Sequence, residues 1–136
     1  MAEAGYSGTP LLKKLGINPG MKVLLMHPPV DYFDMVDMDI SKQLVAGNET
    51  PDLIHLFAAN NTVFIEEMKK ILRLCKKNTS MVVWVSWYKK TSGISSDLSE
   101  NIIREFALRH DLVDIKVCAV SNDWSGLKLV VPVAKR

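Results

Sequence analysis

Three near-continuous apolar runs constrain this chain more than any other feature. They are Val23-Leu24-Leu25-Met26, Leu53-Ile54-His55-Leu56-Phe57-Ala58 and Met81-Val82-Val83-Trp84-Val85-Ser86-Trp87. A strand with one solvated face alternates apolar and polar residues. A strand without that alternation is buried on both faces, as in a sheet covered by helices on either side. Between the second and third runs the period changes. Phe64, Met68, Ile71, Leu72 and Cys75 form one apolar stripe at helical spacing. Glu66, Glu67, Lys69, Lys70, Arg73, Lys76 and Lys77 cover the other side, with acids ahead of bases as the helix dipole favours. Strand, helix, strand in this order predicts a parallel crossover.

The remaining segments are shorter. Thr9-Pro10 followed by Leu11 to Leu15 and Gly16 reads as a helix capped by Thr9, with Pro10 in its first position and Gly16 as a left-handed stop. A short helix near 30–36 and a short strand near 40–45 are expected next. Asp97 with Glu100 reads as a capping-box-like pair opening a helix to about Arg109, with Leu98, Ile102 and Phe106 on one face. Residues 112–120 alternate, Val113, Ile115, Val117 and Ala119 against Asp114 and Lys116. Residues 124–133 return with Leu127, Leu129 and Val131 on one face, which predicts a closing antiparallel hairpin. The expected fold is a single α/β domain over 1–136: a three-layer, Rossmann-like, mostly parallel sheet with a C-terminal antiparallel hairpin.

Composition fits that reading. A chain of 136 residues with 48% hydrophobic and 24% charged residues can bury one core, and it is not the composition of a disordered chain. No apolar run approaches the ~18 residues of a membrane span, and Met1 to Tyr6 lacks the basic and apolar regions of a signal peptide. With only two cysteines, Cys75 and Cys118, a disulfide scaffold is not expected. These features predict a cytoplasmic, reduced protein. Net charge is +2, too small to imply nucleic acid, but residues 1–60 carry −3 and residues 61–136 carry +5. The basic second half favours an anionic ligand.

The turn after the first strand is unusual. Nucleotide-binding sheets place glycines there, because the backbone bends sharply and approaches a phosphate or sugar. This chain has His27-Pro28-Pro29. In order of elements, residues 53–133 resemble class I S-adenosylmethionine-dependent methyltransferases, whose sheet ends in a reversed hairpin. That resemblance implies a trimmed methyltransferase-like fold, without the Gly-x-Gly turn and without an acidic residue closing a second strand. The chain is also similar to a family of short, mostly bacterial proteins of unassigned function. The likeness rests on Gly5-Tyr6-Ser7-Gly8-Thr9-Pro10 with Lys14-Leu15-Gly16, on Trp84-Val85-Ser86-Trp87 with Lys89-Lys90, and on Lys116 to Val120 with Trp124-Ser125-Gly126-Leu127-Lys128. It implies a compact α/β domain and supplies no catalytic residues or cofactor.

Ligands of open α/β sheets bind beyond the carboxyl ends of the strands. The loop Ser86, Trp87, Lys89, Lys90, Ser92 and Gly93 is therefore the expected ligand site, with lysines and hydroxyls for an anion and aromatics for a ring. His27 is a candidate general base. His55 reads as a core histidine, and His110 as the cation closing a helix. Asp31, Asp34, Asp37 and Asp39 lack the spacing of a calcium loop and read as a solvated face, and the cysteine spacing is not that of zinc, so no metal is expected. Gly5 to Pro10 has the composition of a phosphate nest or of a docked arm. The expected function is a non-catalytic domain binding a protein partner or a small anionic ligand at the loop after Trp87. The alternative is a divergent transferase or hydrolase that uses His27 and the Lys89/Lys90 loop on a nucleotide or adenosyl ligand. A homodimer through the terminal hairpin edge is a further expectation; no membrane or nucleic-acid partner is.

Overall fold

The apolar runs become the central strands of one mixed α/β sheet. The computed structural model describes residues 9–136, so the Gly5–Gly8 part of the opening arm lies outside the described residues. The chain runs α1 (Leu11–Leu15), β1 (Val23–Met26), α2 (Tyr32–Val36), β2 (Leu53–Phe57), α3 (Asn61–Lys77), β3 (Val82–Tyr88), α4 (Glu100–Arg109), β4 (Val113–Ala119) and β5 (Trp124–Val130), with short 3-10 turns between. The sheet order is β1-β2-β3-β5-β4. β1, β2 and β3 are parallel, and β5 is antiparallel to both β3 and β4. Four of the five strands therefore share one direction, and β5 alone is reversed.

β2 is buried at every position, as a strand without alternation must be. The buried side chains divide between the two faces. Ile54, Leu56, Val83, Val85, Trp87, Leu127 and Leu129 pack with α3 and α4. Leu53, Phe57, Trp84 and Val120 pack with Leu15 of α1 and with Tyr32 and Val36 of α2. Trp84 is fully buried, and its indole N–H donates to the Leu15 carbonyl at 2.9 Å, which ties α1 to β3. On α3, Phe64, Met68, Ile71 and Cys75 are buried as the stripe predicts, joined by Leu74, while Leu72 is half-buried.

Several local expectations are corrected. Thr9 does not cap α1. Pro10 holds the N-cap position without a side-chain bond, while Gly16 does end the helix at φ 77°. The strand expected near 40–45 is a 3-10 turn over Ser41–Gln43, and a single parallel bridge joins Leu44 to Val23. α4 opens on Ser99, whose hydroxyl accepts from the Ile102 amide at 3.4 Å. Asp97 instead accepts from the Asn61 amide at the start of α3, at 2.8 Å. The alternation of β4 is broken by a bulge between Asp114 and Lys116, which leaves Ile115 and Val117 exposed at the sheet edge.

Candidate functional site

The β1 turn bends without glycine. His27 itself is left-handed, at φ 55°, a conformation in which an L side chain is uncommon. The turn presents its imidazole to α3, where Nε2 pairs with Oε2 of Glu67. Glu67 also lies 3.3 Å from the Lys70 ammonium through Oε1. Burial pushes the Glu67 carboxyl up, but the His27 and Lys70 contacts outweigh it and hold it below its ordinary value. A carboxylate on Nε2 fixes the orientation of the ring, as the partner of a general acid or base does. The sequence placed Glu67 among solvated helix charges, because only the tertiary fold brings it to His27.

His27 stands on a crevice of about 300 Å³ beyond the carboxyl ends of β1, β2 and β3. Pro29, Phe57, Tyr88, Asp123 and Trp124 are among its walls. Tyr88 and Trp124 are directly opposite on β3 and β5 and stack with centroids 4.1 Å apart at 26°. Trp124 also meets Phe57 edge-on at 5.0 Å. The crevice thus combines aromatic walls with His27, whose partner Glu67 lies behind it on α3.

A second cleft, of about 430 Å³, lies between the loop after β3 and the start of α4. Tyr88 and Ile94 line both clefts, so the two are contiguous. Of the residues expected here, Trp87, Lys89 and Lys90 line the second cleft. Trp87 contributes little surface, being 8% exposed and packed in the α3/α4 core, so the aromatics open to a ligand are Tyr88 and Trp124. Ser92 and Gly93 shape the loop. The Ser92 hydroxyl accepts from the Ile94 amide at 3.0 Å, and Gly93 is left-handed at φ 79°. The N-terminus of α3 is already occupied, by Asn60 on the Val63 amide and Asp97 on the Asn61 amide.

Ser86 is corrected outright. It is fully buried and points to the opposite face, where its hydroxyl lies 2.7 Å from Nε2 of His55. Nδ1 of His55 lies 2.9 Å from the Tyr32 hydroxyl. Either tautomer satisfies both ring nitrogens: Tyr32 donates to Nδ1 while Nε2–H donates to Ser86, or the chain runs in reverse. Burial pushes the Tyr32 phenol up and lowers His55 to about 3, so both are neutral at neutral pH. The connectivity is that of a nucleophile, its base and an orienting group. However, His55 and Ser86 have no exposed surface, and the space beside Ser86 is closed by Gly126, where a Cβ would stand 3.5 Å from the hydroxyl and 3.0 Å from Val120. We expect a fluorophosphonate probe to leave Ser86 unlabelled in the native protein by intact mass, and labelling at Ser86 would show that the sheet opens there.

No protein-family model matches the chain, and no curated protein matches it. Among solved structures it is similar to a crystal structure of a protein in the NADB-Rossmann superfamily from Streptococcus agalactiae. The identity is 7% and the TM-score 0.47, over 94% of this chain and 70% of the other. No helix of the described residues is long and apolar enough to cross a membrane.

Proposed function

We propose that this protein is a non-catalytic binding domain of three-layer, Rossmann-like build, a trimmed relative of the methyltransferase architecture. Its ligand is a small anionic molecule with a flat ring, seated in the strand-end crevice. One reversed strand inserted between two strands of the common direction supports the architectural part. The Tyr88–Trp124 stack in the wall of a crevice that His27 also lines carries the functional part. Aromatic faces take flat rings with little demand on sequence or substituent. The loop after Trp87 remains in this reading as the rim through Lys89 and Lys90, and the ring sits on Trp124. Two free cysteines support a reducing, cytoplasmic setting. The bulge and the exposed Lys116 on β4 weigh against pairing through that edge, so a small ligand is preferred to a homodimer there.

The test is a thermal-shift panel of S-adenosylmethionine, S-adenosylhomocysteine, nucleotides, dinucleotides and phosphate. A ligand at ~100 times its Kd adds about 2.7 kcal/mol, on the order of 3–6 °C for a domain of this size. The shift is expected to vanish in Trp124→Ala. A shift that survives Trp124→Ala, or a protein that responds to none of the panel, would overturn the crevice as the ligand site.

The His27–Glu67 pair favours a second reading, a divergent transferase or hydrolase using His27 as a general base. In that case His27→Ala loses turnover of a bound ligand while binding persists. In the binding-domain reading no turnover accompanies the shift.

A further inference from the structure

The half of the sheet formed by β5 and β4 carries, on its α1 face, lysines that form no ion pair among the described residues. Lys128 lies opposite both Trp84 on β3 and Lys116 on β4, so all three project to that face. Directly opposed residues on neighbouring strands have Cβ atoms about 5 Å apart, and like charges there are destabilising. One register step on, Cys118 lies opposite Gly126, and the next pair on β5 and β3 is Trp124 with Tyr88. Lys14 from α1 and Lys89 from the loop act on the same place. Lys89 is held below its ordinary value by burial and by Lys14, with Asp123 opposing, and burial pushes the Cys118 thiol up against the pull of Lys14, Lys116 and Lys89. None of the four lysines forms an ion pair with a described residue, whereas Lys70, Arg104 and Lys135 all do. Asp123 is the acid within reach of Lys89.

The lysine group and the crevice are continuous. Tyr88 precedes Lys89 directly, and Trp124 and Lys128 are four residues apart on one strand, about 13 Å. We propose that Lys14, Lys89, Lys116 and Lys128 form a phosphate-binding face adjoining the aromatic crevice, and that the ligand is of the nucleoside polyphosphate class, its base on Trp124 and its phosphates across the lysines. Charge complementarity selects the phosphates, and the opposed pair Lys116/Lys128 is tolerated because the ligand relieves its repulsion. The base assignment rests on the crevice reading given above. The phosphate assignment does not.

The experiment is calorimetric titration with three probes: sodium tripolyphosphate, adenosine and ATP. The proteins are the parent, Lys116→Ala with Lys128→Ala, and Lys14→Ala. We expect tripolyphosphate to bind the parent, to bind the double variant at least tenfold more weakly, and to be displaced as salt rises and screening shortens. Adenosine binds parent and double variant alike, and ATP exceeds adenosine only in the parent. The double variant melts no lower than the parent, since it loses a like-charge pair, and Lys14→Ala tests the face without touching the sheet. Tripolyphosphate that fails to bind the parent, or binds every variant equally, overturns the lysine face. Tripolyphosphate binding that follows the lysines while adenosine is refused overturns the base in the crevice and leaves the phosphate face standing.

Discussion

Acidification from pH 6.5 towards 3 removes roughly 4–5 kcal/mol of folding stability through His55 alone. The imidazole is buried and its value falls from 6.5 to about 3. Between those limits the unfolded chain binds a proton that the native protein refuses, and each pH unit costs about 1.36 kcal/mol. The stability is complete above 6.5, falls steadily below it, and levels off near 3. Against a total of about 5–15 kcal/mol for a typical domain this is a large share, so the protein is expected to be markedly less stable near pH 3 than at neutral pH. Denaturant titrations across that range check it, with His55→Gln as the comparison. Gln retains hydrogen-bonding capacity towards Tyr32 and Ser86 but does not titrate, so its slope is shallower by about one proton. Equal slopes for parent and variant would mean that His55 is protonated in the native state and that the buried chain is wrongly drawn.

Trp84→Ala gives the second large effect, a loss of about 3–5 kcal/mol. Trp84 is fully buried between α1 and the sheet, and it is the largest side chain wholly inside the protein. Its removal opens a cavity in the α1/α2 core and leaves the Leu15 carbonyl without its donor. Trp84→Phe restores most of the volume without the N–H and is expected to recover more than half of the loss. Urea midpoints measure both. A loss below about 1 kcal/mol for the alanine would contradict the burial.

The sequence made the two-sided strands and α3 legible, because their signals are repeated along the chain. A run of six residues with His55 as its one polar member does not alternate as a half-exposed strand would, and a stripe of five apolar positions over α3 marks one helix face. The errors sit where a single distant contact decides. Asp97 matches a helix start by spacing, yet Ser99 caps α4 and frees Asp97 for α3. Ser86 has the composition of a loop hydroxyl, yet strand alternation turns it towards His55. At 40–45 the apolar residues Ile40, Leu44 and Val45 read as a strand, but a single bridge to Val23 is all the pairing that forms. Trp87, expected at the ligand site, packs in the core for the same reason, and Trp124 reaches the crevice from the reversed strand, far along the chain. Glu67 carried no local signal at all.

Two bonds from the β3–α4 loop to the start of α3 give the second cleft a mechanical character. Ser96 donates its hydroxyl to the Ala59 carbonyl at 2.8 Å, and Asp97 accepts from the Asn61 amide at 2.8 Å. The loop therefore cannot swing outward on its own. Opening it uncovers the first amide of a seventeen-residue helix that also carries Glu67, the partner of His27. The exchange rate of the Asn61 amide with solvent deuterium therefore reports the opening of that rim.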